Sequence, residues 1–189
     1  MQPEGFGVNL RFMIIATDND VVLRELTEAD IPKLAEYANN EKVSINLRDA
    51  FPSPYTIDDA KRFIEMVDKQ DPKTLFAIEY KGNYAGNISL SLGSDVYRKS
   101  AEIGYFIGEP FWNKGIASKA VRLLTEYGFE KFDIVRIYTG IFEYNKASQR
   151  VLEKCGFVKE AVFKKSIFKK GELYDEIRFA LLKNDYSEK

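Results

Sequence analysis

The chain predicts a mixed α/β (α+β) domain, built on a mostly antiparallel, twisted sheet flanked by helices. Three observations carry this. Apolar residues alternate over short runs joined by turn-forming residues, as at residues 74–80 and 84–92 around Lys81-Gly82-Asn83, which is a hairpin pattern. Between such runs they recur every three or four residues, as in Ile31, Leu34, Ala35 and Ala38, or Ala60, Phe63, Ile64 and Val67, marking one face of a helix. The 189 residues contain no internal repeat, and their length fits one domain.

The elements follow in order. Residues 9–16 read as a strand, and Thr17 to Asp20 as a turn. We expect residues 1–19 to form an extension, residues 20–183 the domain, and residues 184–189 a frayed tail. Residues 21–26 alternate as a strand. Thr27, with Asp30 three positions on, caps a helix to about Asn39. Residues 46–55 are a polar loop with two prolines and the aromatics Phe51 and Tyr55. Thr56 and Asp59 cap a second helix, which ends at Asp71-Pro72. After the hairpin and a polar loop, residues 102–107 form a strand interrupted by Gly108 and Pro110. A helix of about four turns starts at Ile116. Residues 134–142 are a strand, residues 148–154 a short helix closed by Gly156, and residues 157–182 a last hairpin turning at residues 169–172.

Composition bounds the function. Twenty-eight basic against 29 acidic residues give a net charge of −1, with no global pull toward nucleic acid or membrane. Cys155 stands alone in an apolar context and reads as a core thiol, not a nucleophile. There is no histidine, so the usual neutral-pH base and the commonest metal ligand are missing. A base must then be a carboxylate, water, a tyrosine or the cysteine, and no metal is expected. No apolar run approaches the roughly 20 residues of a membrane span, and the start lacks a secretory pattern; the cytoplasm is the expected compartment. No strand is followed by GxGxxG, and Gly115 has no following Lys-Ser/Thr, which argues against dinucleotide-binding and P-loop folds.

The stretch Trp112-Asn113-Lys114-Gly115-Ile116-Ala117 places small residues where a strand passes into a helix. The first amides of a helix lack internal partners and sit at the positive end of its dipole. With room left by Gly115 and Ala117, a pyrophosphate can rest on them.

WNKGIASKA resembles the acyl-coenzyme A loop of the GNAT N-acetyltransferases, in the branch similar to ribosomal-protein N-terminal and spermidine acetyltransferases. The family's two small positions fall on Gly115 and Ala117. Its first, usually Arg or Gln, falls on Trp112, as is common in this branch. The resemblance spans roughly residues 21–183. It implies a GNAT fold and acetyl-CoA as cofactor, held by Trp112, Asn113, Lys114, Gly115, Ile116 and Ala117. It places the pantetheine arm, and an amide for the reaction's oxyanion, at a splayed strand end near Phe106 and Ile107. AEIGY resembles the stretch whose glutamate, here Glu102, is a candidate general base acting through water. Burial near Tyr105 and Phe106 is expected to raise its pKa. Glu25 and Asp49 are further candidates for that role.

NKASQRVLEKCGF resembles the second cofactor motif. There Asn145 bonds the pantetheine or acceptor, Ser148 reaches the sulfur, and Arg150 and Lys154 meet the nucleotide end. Leu152 stands where many members carry a tyrosine acid, so Ser148 or water must serve the leaving thiolate. LRDAFPSPY resembles the substrate-side loop, giving Asp49, Phe51 and Tyr55 as acceptor contacts; Tyr174 and Asp175 resemble the element closing the acceptor cleft. Glu25, Asp49, Glu102 and Asp175 are expected to form an acidic mouth for an amine. Protein α-amines have lower pKa values than polyamine nitrogens and demand less of a base. The expected reaction is therefore acetyl transfer to a protein N-terminus, with a polyamine or aminoglycoside as the alternative acceptor. A non-catalytic acyl-CoA binding module is the alternative outside enzymes. The expected assembly is a monomer or homodimer.

Overall fold

The computed structural model describes residues 13–187. Eight strands form one sheet: β1 (Ile14–Asp18), β2 (Val21–Arg24), β3 (Leu75–Tyr80), β4 (Asn83–Leu92), β5 (Ser100–Ile107), β6 (Arg136–Phe142), β7 (Val158–Lys169) and β8 (Glu172–Leu182). Their order is β1-β2-β3-β4-β5-β6-β8-β7. Every neighbouring pair is antiparallel except β5 and β6. The expected mixed, mostly antiparallel sheet is therefore the observed one.

The hairpins come from local turn chemistry. Lys81-Gly82 and Lys170-Gly171 both have positive φ at each residue, the twist that matches two-residue hairpins. The β1 strand overlaps the end of the strand expected over residues 9–16 and runs on to Asp18, so Thr17 and Asp18, expected in the turn, pair with Val22 and Val21 instead; residues 9–12 lie outside the described residues.

Helix α1 (Ile31–Ala38) is preceded by a 3-10 turn, Glu28–Asp30, so the single expected helix starts tighter than a plain α-helix. Helix α2 (Glu41–Ser44) is a single turn with no sequence signal of its own. Helix α3 (Ile57–Asp68) carries the expected capping box. The Thr56 hydroxyl accepts the Asp59 amide at 3.2 Å, and the Asp59 carboxylate accepts the Thr56 amide at 2.8 Å. Helix α4 (Ile116–Lys131) crosses one face of the sheet. Helix α5 is Lys146–Lys154, starting two residues earlier than expected. Residues 183–187 form helix α6, where the sequence suggested a tail, and Tyr186 packs its ring on Phe129 of α4.

Two cores hold these layers. On the α4 face, Val21, Leu23, Phe76, Ile88, Leu90, Ile103, Ile116, Leu124 and Ile137 are fully buried. A Cβ at Gly128 would lie 2.6 Å from Leu90, so α4 is pressed directly onto β4. On the other face α1 and α3 bury Leu34, Ala38, Ala60, Ile64 and Tyr84. A buried ion cluster that the sequence did not signal ties the start of α1 to the sheet. Arg24 of β2 donates to both oxygens of Asp30 at 2.8 Å and to Glu79 at 2.6 Å.

Candidate active site

The sheet opens at one place. β5 pairs with β4 along residues 101–107, yet pairs with parallel β6 only over Ser100, Ala101 and Glu102. Beyond that, β6 follows β8 to Phe142 and leaves β5 behind. Even-numbered residues of β5 bond to β4: Ser100 accepts from Gly93 and Gly108 donates to Ala85, each at 2.8 Å. Strand alternation then turns the backbone of Tyr105 and Ile107 into the gap. Their amides have no strand partner among the described residues. Of the two residues expected to offer an amide, Ile107 does so. Phe106 is committed to Asn87 on β4, and Tyr105 takes its place.

Trp112 braces the end of this gap. Its indole N–H donates to the Ile107 carbonyl at 2.7 Å, so that donor is spent within the protein. The chain then turns through Asn113 (φ 60) and Gly115 (φ 75, ψ 0) into α4. The first helical bond runs from Lys119 to Gly115 at 3.2 Å. The amides of Ile116, Ala117 and Ser118 have no acceptor among the described residues. A Cβ at Gly115 would meet nothing within 4 Å, so the approach to these amides is open. Positive φ keeps the position suited to glycine. No acidic side chain stands in this first turn to oppose an anion. Lys114 curls back, with Nζ 2.9 Å from the Pro110 carbonyl and over the Phe111 ring. Lys119 lies 3.5 Å from Asp18.

Helix α5 forms the far wall. Asn145 caps it, its side-chain oxygen accepting the Ser148 amide at 3.1 Å. Ser148 then meets Tyr105 across the gap, hydroxyl to hydroxyl, at 2.7 Å. Burial of the Tyr105 hydroxyl pushes its phenol well above the ordinary range, against the opposing pull of Ser148. Arg150 and Lys154 lie on the exposed side of α5. Leu152 is fully buried in the core, and Cys155, also buried, donates its thiol to the Ser118 carbonyl of α4 at 3.3 Å.

Glu102, Gly104 and Phe106 point to the opposite face of β5 from Tyr105. Glu102 and Ser148 thus stand on the two sides of the sheet. Glu102 is bonded to Arg48 at 2.8 Å with its side chain 27% exposed. It sits in an ion pair, not in the aromatic burial expected from Tyr105 and Phe106. Phe51 stacks on buried Tyr55 at 4.8 Å and meets Phe106 edge-on at 6.1 Å. Burial, with Asp59 nearby, pushes the Tyr55 phenol up to about 12. The β7–β8 hairpin clasps this loop. Buried Lys169 donates to the Leu47 carbonyl at 2.6 Å and to Asp49 at 2.8 Å, and Tyr144 donates to the Ile45 carbonyl at 2.6 Å. Tyr174 packs edge-on against Tyr144 and so supports the loop from behind.

The expected acidic mouth does not form. Asp49 is paired with Lys169. The Asp175 carboxylate accepts Lys164 at 2.7 Å and the Lys165 amide at 2.9 Å, bonds that hold it below the usual carboxylate range and pin the bulge in β7. Glu25 follows β2, with β3 and β4 between it and β5. Among the described residues no three His, Cys, Asp or Glu side chains gather as a metal site. Sequence reasoning missed Arg48, Lys169 and Tyr144 as determinants of the site. For Tyr105 the strand alternation alone would have set it opposite Glu102.

A sheet opened between two parallel strands, with unpaired amides there and at the adjoining helix N-terminus, offers donors to an anion and to an arm laid along the strand, as the resemblance to acyl-coenzyme A dependent transferases implies. The comparisons agree. Residues 20–158 match the family model described as an acetyltransferase (GNAT) domain. The microcin C7 self-immunity acetyltransferase MccE, solved in complex with acetyl-CoA and AMP, superposes with a TM-score of 0.74. It is 28% identical, over 87% of this chain and 93% of that one. The putative ribosomal N-acetyltransferase YdaF of Bacillus subtilis (strain 168) is 36% identical over 107 residues, 57% of this chain and 58% of its own. The spermidine N(1)-acetyltransferase of Escherichia coli (strain K12) is 26% identical over 89% of both chains. The chain belongs to the GNAT family of acetyltransferases and is related to its ribosomal-protein and spermidine acetyltransferase branch.

Proposed function

We propose that this acetyltransferase transfers the acetyl group of acetyl-CoA to a protein N-terminal α-amine. The supporting observation is charge. Glu102, Asp49 and Asp175, the carboxylates expected to line the acceptor side, are each already paired with a cation. A polyamine carries several charges that need counter-ions, whereas an N-terminal amine attacks as a single neutral nitrogen of lower pKa. The relative described as a putative ribosomal N-acetyltransferase fits this acceptor; the spermidine acetyltransferase relative keeps polyamines as the competing one.

The residues fit acetyl-CoA by their open donors. The amides of Ile116, Ala117 and Ser118 suit its diphosphate, and the Asn145 side chain suits its pantetheine arm. Bound there, the cofactor supplies an acetyl thioester. The Tyr105 and Ile107 amides offer donors for charge developing on the thioester oxygen; one such donor is worth ~10²–10³ in rate in other enzymes. Glu102 offers an oxygen on the acceptor face to take the amine proton through water. That proton balances the one the departing thiolate gains from solvent. Buried Cys155 is tied to Ser118, which supports direct attack without an acyl-enzyme. A thiol-release screen with N-terminal peptides, polyamines and aminoglycosides tests the proposal. Preferred turnover of peptides is expected, and a preference for spermidine overturns it.

A further inference from the structure

We propose that Tyr105 is a positioning residue that holds Ser148 as a hydrogen-bond donor to the coenzyme A sulfur. The inference rests on acetyl-CoA being the ligand of this site and on the contact between Ser148 and its sulfur that the family resemblance implies; the role of Tyr105 is what it adds. Three observations lead to it. First, the two hydroxyls meet at 2.7 Å from opposite banks of the opened sheet, Tyr105 from β5 and Ser148 from the first turn of α5. Second, the direction of the bond follows from satisfiability. Each hydroxyl has one hydrogen to give, and a serine oxygen accepts two bonds. Tyr105 packs against the apolar core on the α4 face, and its hydroxyl has no other acceptor among the described residues. Were Ser148 the donor, the tyrosine hydrogen would be left unmade in that setting, which is the costly arrangement. Tyr105 therefore donates, and the Ser148 hydrogen is left to turn into the gap. Third, Ser148 carries the only side-chain hydroxyl of α5, and position 152 is a buried leucine.

The pair donates a hydrogen bond and does not relay a proton. Burial keeps the Tyr105 phenol protonated far above the range of a thiol, so transfer from it to a thiolate is uphill. A donor that is itself accepting a hydrogen bond is strengthened, and this is the effect Tyr105 exerts through Ser148.

Binding of coenzyme A and of desulfo-coenzyme A, compared by titration at a pH near the thiol's ionisation, reads this bond without any acceptor. The wild-type protein is expected to prefer coenzyme A by about fivefold, the size of one modest hydrogen bond. Ser148→Ala should bring the ratio to about one, Tyr105→Phe should reduce it by at least half, and the double variant should match Ser148→Ala. A merely structural tyrosine would lower the melting temperature and weaken both ligands alike, leaving the ratio in place. An unchanged ratio in Tyr105→Phe, or no preference in the wild type, overturns the proposal. Should Tyr105→Phe fold poorly, the ratio in Ser148→Ala, on the partly exposed first turn of α5, decides it. Thiol release with amines is measured separately; its failure with every amine would refute acetyl transfer while the two-ligand ratio still reports on the pair.

Discussion

Arg48 Nη2 and Glu102 Oε1 lie 2.8 Å apart, joining a loop to the central strand across 54 residues of sequence. The arginine side chain is 78% exposed, yet the loop that carries it is fastened on both sides, by Tyr144 at Ile45 and by Lys169 at Leu47 and Asp49. The protein thus presents a cation of its own to the carboxylate proposed to face the acceptor.

This pair predicts a change of acceptor preference. Arg48→Ala removes one positive charge from the Glu102 carboxylate. An exposed pair contributes about 0–1 kcal/mol, so the melting temperature should fall by no more than about 4 °C. A cationic polyamine then meets an unpaired carboxylate, and its kcat/KM should rise by about tenfold at low salt, the weight of ~1.4 kcal/mol. A peptide N-terminus should gain little. Thiol-release rates with both acceptors check this, and an equal gain for the two would show that Arg48 does not screen charge.

The helix turn gives a second prediction. Gly115 sits at φ 75, and an added Cβ would have nothing within 4 Å, so Gly115→Ala should cost about 1–2 kcal/mol of backbone strain and spare coenzyme A binding. Gly115→Glu adds a charge beside the amides of Ile116 and Ala117 and should weaken coenzyme A at least about tenfold. Calorimetric titration separates the two; equal affinity in both variants would remove the diphosphate from this turn.

How much of this was legible beforehand depended on the range of each contact. The turn at residues 112–117 is local, so composition and period alone located the strand end, the glycine and the helix start. The cap at Thr56 was visible for the same reason, whereas Asn145 was read as a loop residue and caps α5. Asp49 and Asp175 were identifiable as acidic residues near the acceptor side, but their partners were not. Lys169 comes from 120 residues away, and Lys164 comes through a bulge that shifts the register of β7. Charges counted along a sequence gave an acidic mouth; pairing in space neutralised it. The place where β5 leaves β6 depends on where Phe142 and β8 lead the neighbouring strand, which no local pattern encodes.

Asp175 predicts a pH effect on stability. Its folded carboxylate is held below the ordinary value of about 3.9 by Lys164 and the Lys165 amide. In that window the unfolded chain binds the proton first, so the contribution is whole above the unfolded value and is lost as pH falls through the folded one. Asp175→Asn should therefore flatten the acid limb of melting temperature against pH below about 4. An acid limb identical to wild type would mean the bulge does not depend on this carboxylate.

Gly104 predicts a clean separation of the two substrates. It is exposed on the face proposed for the acceptor, between Glu102 and Phe106, and a Cβ there would meet only the Ser89 hydroxyl, at 3.7 Å. A larger side chain is therefore accommodated by the fold and enters the space in front of Glu102. The donors proposed for the cofactor, the backbone of Tyr105 and Ile107 and the turn at Gly115, lie in the gap and at the helix end, away from that face. Gly104→Leu should leave the melting temperature and coenzyme A affinity near wild type. It should lower kcat/KM for the amine by at least about tenfold, because misplacing a reactant by an ångström or so costs on the order of 10²-fold. Loss of coenzyme A affinity in Gly104→Leu would instead put the cofactor on the Glu102 face and reverse the assignment of the two sides of the sheet.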